Sequence, residues 1–385
     1  MKAGLLGRKL GHSLSPQIHR FFGDYDYRLY EKEPEEVEEF LRAGFASGTF
    51  DFLNVTIPYK QTVFELCDEL SPMARKLGNV NFVTRTADGK LRGDNTDAFG
   101  VGRLLDANGI DVRAWNCAIL GAGGAAMTVK AVLEERGAKR VTFVRRDEEP
   151  AQDDELIVNA TPVGMFPDVD SVRVDISRYV ACKAALDLVY NPSPTRLVRE
   201  ALACGKIAAD GMVMLIAQAY RAFELAGSSL IPHPSSLFLY GPPASGKSTW
   251  AKRIAAATGW TLVDLDAEIV KAAGRSIPEI FAKEGEKGFR AIEKRCLASV
   301  CGDETSPSQS GRVIALGGGA FLDPESRKIA EMAGRVVVLD CPLETLKTRL
   351  TGGDRPLSAD TAKLEALVKS RATHYASFPR HVKMI

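Results

Sequence analysis

Short apolar, β-rich runs alternate along the whole chain with longer stretches in which apolar positions recur every three to four residues. Strands are predicted at 2–6, 27–30, 52–56, 116–120, 141–144, 156–158, 185–189, 237–240, 313–316 and 336–340. Helices are predicted at 34–43, 125–136 and 277–300. This alternation predicts an α/β protein throughout. One junction stands out at 227–236, GSSLIPHPSS, which holds two prolines and four serines between a helical run and a new strand. A softer division falls near Gly100, before a strand, a Gly-rich loop and a helix. The expected organisation is 1–100 with a return helix at about 211–227, then 101–210, a linker at 228–236, and 237–385. The acidic run at 31–39 has the spacing of a solvated helix face.

Composition narrows the class. At about 150 residues per domain, 385 residues imply two or three domains. Fifty Lys+Arg against forty-nine Asp+Glu leave a net charge of +1. That balance argues against non-specific nucleic acid or a polybasic membrane contact, since both need a large positive field. The first ten residues hold no sustained apolar core, so no secretory signal is expected, and no apolar run approaches the length of a membrane helix. Seven cysteines, odd in number and without a CxxC, read as reduced, mostly buried thiols. The expectation is a cytoplasmic protein acting on small molecules; the sequence sets no oligomeric state.

The strongest local signal is GPPASGKST, Gly241 to Thr249, which fits G-x-x-x-x-G-K-[ST] between an apolar strand and a helical run. In that setting successive N–H groups and a helix N-terminus cradle phosphates. Lys247 would reach the β- and γ-phosphates of ATP, and Ser248 would ligate Mg²⁺. Asp264 and Asp266 end the next strand, and Gly317-Gly318-Gly319 follows 313–316, so both lie at the carboxyl edge where α/β ligands bind. Arg290, Arg355 and Arg371 each lie in a polar stretch further on.

GPPASGKST, VDLD, RSIPEIFAKEGEKGFRAIE, ALGGGA, GGDRPL and KSRATHYA together resemble shikimate kinase over 236–378, a P-loop fold of the nucleoside-monophosphate-kinase type with a parallel sheet. The resemblance implies that Asp266, Arg290, Gly318 and Arg371 hold shikimate, the two arginines gripping its carboxylate. It implies ATP contacts at Gly241, Gly246, Ser248, Thr249 and Arg349, with Asp264 joining Ser248 around Mg²⁺. Lys247, Asp266 and Arg355 would be the catalytic groups, Arg355 on a lid. The family continues with a further strand and helix, whereas this sequence ends soon after Tyr375.

In the first half, Gly121-Ala-Gly-Gly-Ala125 follows a strand and opens a helix, a dinucleotide-loop context in which many matches are only tight turns. The second strand of that unit ends in Arg145-Arg146 where an NAD-selective unit carries an acid, so NADP(H) is the expected cofactor. Ser13 and Ser15 lie in a loop after the first strand, Lys60 just past another, and Asp97 in a polar loop.

GHSLSPQIH, NVTIPYK, LGNVNF, GDNTDAFG, GAGGAA, NATPVGM, DLVYNPSPT and GMVMLIAQAYRAF run in the order of shikimate dehydrogenase, which the first 227 residues resemble. The resemblance implies an α/β substrate domain and a Rossmann-like NADP domain. Ser13, Ser15, Asn54, Thr56, Lys60, Asn81, Asp97 and Gln218 would line the substrate pocket, with Tyr190 at its rim and Lys60 and Asp97 as the catalytic pair. Gly121, Gly123, Gly124, Ala125, Arg145, Arg146 and Gly211 would bind the cofactor. The paired serines favour shikimate over quinate. Three features depart from the family. Twelve residues separate Arg146 from Asn159 where a helix and strand are usual, Val213 stands where glycine is usual, and Arg145 and Asp147 replace an Asn and a Thr of the phosphate clamp. The family's closing helix is replaced by the short junction.

The combined expectation is a bifunctional enzyme of aromatic-precursor synthesis. NADPH-dependent reduction of 3-dehydroshikimate would be followed by ATP-dependent phosphorylation of shikimate. The alternative is an active shikimate kinase fused to a non-catalytic, or quinate- and NAD-type, dehydrogenase-like domain.

Overall fold

The first strand, β1 (Lys2–Gly7), is apolar enough to run through the middle of a sheet, with five of its six residues buried. A computed structural model describes residues 1–11, 13–227, 236–302, 311–351 and 361–384. The chain divides into two compact units, drawn essentially from residues before 228 and after 235.

In the first unit, β1 is followed by α1 (Ser15–Phe22), β2 (Asp26–Glu31), a 3₁₀ turn (Pro34–Glu36), α2 (Val37–Ala46) and β3 (Phe52–Val55). Then come α3 (Lys60–Leu66), β4 (Glu69–Leu70), α4 (Pro72–Leu77), β5 (Phe82–Arg85), β6 (Leu91–Asp94) and α5 (Asp97–Ala107). The strands form one sheet in the order β2-β1-β3-β5-β6-β4. β1 runs parallel to β3, with Leu6 opposite Val55, while β5 is antiparallel to both β3 and β6. The ends of β1, β3 and β6 and the start of β5 therefore share one edge. Ser13, Asn54 to Lys60, Asn81 and Asp97 follow or precede those ends.

A second sheet holds β7 (Asn116–Leu120), β8 (Arg140–Val144), β9 (Leu156–Asn159), β10 (Ala184–Asp187) and β11 (Ile207–Ala209), with α6 (Gly124–Glu135), α7 (Arg196–Ala203) and α8 (Met212–Gly227) between or after them. Its order is β11-β10-β9-β7-β8, all parallel. Period-two alternation sends Cys117 and Ile119 to a core with Leu104, Val129 and Leu133, and Ala118 and Leu120 to an opposite core with Ile176 and Leu197. No helix or strand separates β8 from β9. The division expected at Gly100 falls inside α5. That glycine lets α5 meet α8 closely, since a Cβ there would lie 2.7 Å from the Met214 carbonyl oxygen.

The second unit runs β12 (Ser236–Tyr240), α9 (Lys247–Thr258), β13 (Thr261–Asp264), α10 (Leu265–Ala273), α11 (Ile277–Gly302), β14 (Arg312–Ala315) and α12 (Pro324–Ala333). It ends with β15 (Arg335–Asp340), α13 (Leu343–Thr351), α14 (Thr361–Ala376) and β16 (His381–Lys383). The sheet is parallel throughout, in the order β13-β14-β12-β15-β16. Several expectations change here. Ser236 belongs to β12 rather than to a linker, and 228–235 lie outside the described residues. The helix expected at 277–300 is broken at Gly285, whose φ of +67° and ψ of −173° leave the helical region. A further strand does follow Tyr375, because β16 pairs with β15 through Val338–His381. All seven cysteines are free thiols, but only Cys117, Cys182 and Cys296 are buried, and Cys204 is exposed. Among the described residues no helix is long and apolar enough to cross a membrane.

Candidate active sites

The edge of the first sheet gathers the polar residues expected there. Lys60, the first residue of α3, places Nζ 2.5 Å from Oδ2 of Asp97. Asp97 is the first residue of α5, buried, rather than part of a loop. Its main-chain N–H donates to Asn95 Oδ1 at 3.1 Å, and Asn95 in turn donates from Nδ2 to Asn79 Oδ1 at 2.6 Å. Asn81 has both ends of its amide engaged by Thr96. Nδ2 donates to Oγ1 at 3.0 Å, and Oδ1 accepts from the Thr96 N–H at 2.7 Å. In this arrangement Asn81 braces the turn that aims Asp97.

Asn54, buried in β3, accepts from the Tyr27 hydroxyl at 3.0 Å, while its Nδ2 is buried with no partner. Buried donors are rarely left unmatched, so that amide marks a place for a ligand oxygen. Ser15 is the first residue of α1, not of the loop, and its Oγ accepts from Ser13 Oγ at 3.2 Å. Thr56 follows β3, and its methyl lies against Gly7 at the end of β1. Gln218, on α8, turns back to donate to the Leu215 carbonyl at 2.9 Å. Tyr190 is half-buried beyond β10, and burial raises its phenol above the ordinary value.

The carboxyl edge of the second sheet leads into the glycine loop between β7 and α6. Gly121 has φ +102°, and a Cβ there would lie 2.9 Å from Thr161. Gly123 caps α6, and neither Gly123 nor Gly124 has any atom within 4 Å of where a Cβ would be. Bare main chain at a helix N-terminus beside open space fits the diphosphate of a dinucleotide. Ala125 follows in the first turn of α6. Gly211 immediately precedes α8, and a Cβ on it would meet the Leu188 carbonyl oxygen at 2.2 Å. Val213 packs partly buried against the core of this sheet. Arg145 and Arg146 are exposed just beyond β8.

In the second unit the phosphate loop joins β12 to α9. Gly241 has φ +132° and Gly246, the N-cap of α9, has φ +91°. Lys247 Nζ donates to the carbonyls of Gly241 at 2.9 Å and Pro242 at 2.7 Å, folded over the loop it serves. Thr249 is exposed on the first turn. Ser248 Oγ lies 3.4 Å from Asp264 Oδ2. One hydroxyl and one carboxylate so close fit Mg²⁺, which takes few protein ligands and fills its octahedron with water and phosphate oxygens. Asp266 does not end β13; it lies in the first turn of α10, where its N–H donates to Asp264 Oδ1 at 3.1 Å. Arg349 lies on the last turn of α13 with Nη1 3.6 Å from Cys341 Sγ, beside Gly246. Arg355 lies outside the described residues.

The glycine triplet after β14 is the hub of this site. The Gly318 carbonyl accepts from Tyr375 Oη at 2.7 Å, Arg371 Nη1 at 3.2 Å and Tyr240 Oη at 3.3 Å. A Cβ on Gly319 would lie 2.5 Å from Arg290 Nη2, and one on Gly317 would lie 3.5 Å from Asp266 Oδ1. Arg290, Arg371 and Asp266 therefore converge on one stretch of bare main chain.

Sequence reasoning missed Glu293. Its Oε2 accepts from Arg290 Nη1 at 2.6 Å, and its Oε1 is buried without a partner, 3.1 Å from where a Gly317 Cβ would be. Burial lifts its carboxyl above the ordinary range, with Arg290 opposing. The i,i+3 spacing of Arg290 and Glu293 on a helix was the available signal. Tyr27, Thr96 and Tyr375 were also missed; Thr96 and Tyr375 fall within GDNTDAFG and KSRATHYA, while no local pattern marks Tyr27.

A Lys–Asp pair and a glycine-rich strand-to-helix loop in the first unit, and a phosphate loop in the second, define a dehydrogenase joined to a P-loop kinase. Family models agree: residues 5–83 match the shikimate dehydrogenase substrate binding domain, and 243–384 match shikimate kinase. Shikimate dehydrogenase (NADP(+)) of Clostridium perfringens is 34% identical over 250 residues, covering 58% of this chain and 90% of that relative. A chorismate mutase/shikimate 5-dehydrogenase fusion protein from Clostridium acetobutylicum superposes with a TM-score of 0.56 at 32% identity, over 60% of this chain and 92% of that one. The Thermus thermophilus shikimate 5-dehydrogenase, solved with NADP(H) and shikimate, gives a TM-score of 0.54 at 31% identity, over 59% and 94%. The chain belongs to the shikimate dehydrogenase family and carries a shikimate kinase domain in the same polypeptide.

Proposed function

We propose that the chain catalyses two consecutive reactions, reducing 3-dehydroshikimate to shikimate with NADPH and then phosphorylating the 3-hydroxyl of shikimate with MgATP. The observation that carries this reading is the 2.5 Å contact between Lys60 and Asp97 at the sheet edge lined by Ser15, Asn54 and Asn81. NADPH, held at Gly121 to Ala125, supplies the hydride. The carbonyl oxygen then gains charge, and an ammonium beside it both stabilises that charge and supplies the proton. Asp97 keeps the ammonium aimed. Ser13, Ser15, Thr56 and Gln218 hold the carboxylate and ring hydroxyls, and Tyr190 closes the rim.

In the kinase domain, Lys247 and the N–H groups of the phosphate loop hold the transferring phosphates, with Ser248 and Asp264 around Mg²⁺. Arg290 and Arg371 grip the shikimate carboxylate from either side of the glycine triplet, and Asp266 orients the attacking hydroxyl. Arg349 would stack on adenine. The product of the first site is the substrate of the second, which supports pairing the two on one chain. The decisive experiment gives the purified chain 3-dehydroshikimate and NADPH without ATP, then adds MgATP. Consumption of NADPH followed by phosphate transfer is expected. Folded protein that phosphorylates added shikimate but consumes no NADPH would leave only the kinase half of the reading.

A further inference from the structure

Arg145 and Arg146 follow β8 on a turn that no regular element stabilises, since β9 is the next strand. Neither guanidinium makes a hydrogen bond or ion pair among the described residues. The turn is instead held from a distant part of the chain. Nη2 of Arg173 donates to the carbonyl of Arg145 and, at 2.8 Å, to that of Glu148. Val172 and Val174, on either side of Arg173, pack into the core that contains Val144 and Ile157, so its main chain is anchored beside β8. Glu148 and Glu149 engage groups other than the two guanidinium groups. Glu148 Oε2 accepts from the Arg145 N–H at 2.8 Å, and Glu149 accepts from the Tyr179 hydroxyl, leaving Asp147 exposed.

Two unpaired guanidinium groups thus extend from a turn whose carbonyls a third arginine holds. An unpaired guanidinium is a ready donor to a phosphate, because its planar N–H fork matches two phosphate oxygens at once. We infer that Arg173 is a specificity-determining positioning residue. It clasps the 145–148 turn so that Arg145 and Arg146 receive the 2′-phosphate of NADP(H), in place of the helix and strand missing between β8 and β9. This rests on the proposed NADPH dependence of the first site.

The test is fluorescence titration of the full-length chain with NADPH and with NADH, which requires no turnover. An unchanged circular dichroism spectrum and thermal melt of the full-length chain serve as the check that each variant is folded. Arg173→Ala is expected to weaken NADPH binding at least about tenfold while leaving NADH binding unchanged. Arg173→Lys, which can still donate to both carbonyls, recovers most of that loss. Equal weakening of both cofactors would make Arg173 a general prop of the domain and overturn the inference, as would unchanged NADPH binding. A wild-type chain that binds NADH as tightly as NADPH would overturn the NADPH reading itself, before any variant is made.

Discussion

Nζ of Lys60, at the start of α3, and Oδ2 of Asp97, at the start of α5, lie 2.5 Å apart although 37 residues separate them. The pair exists because β3 and β6 point the same way with antiparallel β5 between them, which brings both helix starts to one sheet edge. Lys60→Ala is expected to lower the rate of 3-dehydroshikimate reduction about 10²- to 10⁴-fold, the range lost with a general acid. ATP-dependent phosphorylation of added shikimate should be unchanged. Loss of both activities in a folded variant would show that the two sites are not independent.

Glu293 and Arg290 pair at 2.6 Å beside the glycine triplet, and Glu293 is buried. Removing Glu293 leaves Arg290 only its longer contact with the exposed Glu286 at 3.2 Å. Glu293→Ala should raise KM for shikimate about tenfold, with a much smaller change in KM for ATP, because Arg290 loses its aim rather than its charge. Steady-state kinetics with each substrate varied in turn checks this; equal rises in both constants would assign Glu293 to the fold instead.

Most strands and both glycine loops are legible because strand length, period-two alternation and Gly-rich turns are local properties of sequence. β7 occupies the predicted span at 116–120, and β12 differs by one residue. What was not legible is long-range. Asp97 and Asp266 were placed at loop or strand ends, yet both sit in first turns of helices, where an acid also complements the helix dipole. The break at Gly285 and the return of β16 to β15 depend on tertiary pairing that periodicity cannot carry. Tyr27, which holds Asn54, lies on another strand, and nothing in its neighbourhood marks the role.

Gly211, immediately before α8, has no room for a side chain, since a Cβ there would meet the main chain of Leu188 at 2.2 Å. Backbone cannot yield as a side chain can, so Gly211→Ala must displace the start of α8. The expected cost is about 1–3 kcal/mol, together with a fall in NADPH binding. Retained wild-type cofactor affinity at unchanged melting temperature would show that α8 adjusts without consequence.

Asp187, at the end of β10, is buried, and desolvation pushes its carboxyl from an ordinary 3.8 up to about 6. Hydrogen bonds from Thr195 Oγ1 at 2.8 Å, the Val189 N–H at 3.1 Å and Asn159 Nδ2 at 2.9 Å oppose that rise without cancelling it. The folded state therefore holds the proton more tightly than the unfolded one. Asp187 contributes most to stability below pH 3.8, and the contribution is lost as pH rises to about 6, after which it stays flat. At 1.36 kcal/mol for each tenfold change in proton affinity, the loss approaches about 3 kcal/mol. Asp187→Asn keeps the shape and the oxygen facing Asn159 and Val189, while Thr195 can reverse its hydroxyl to accept. Relative to wild type, the variant should be more favoured at pH 7 than at pH 4.5 in paired thermal melts. An equal difference at the two pH values would mean that Asp187 does not titrate in this window.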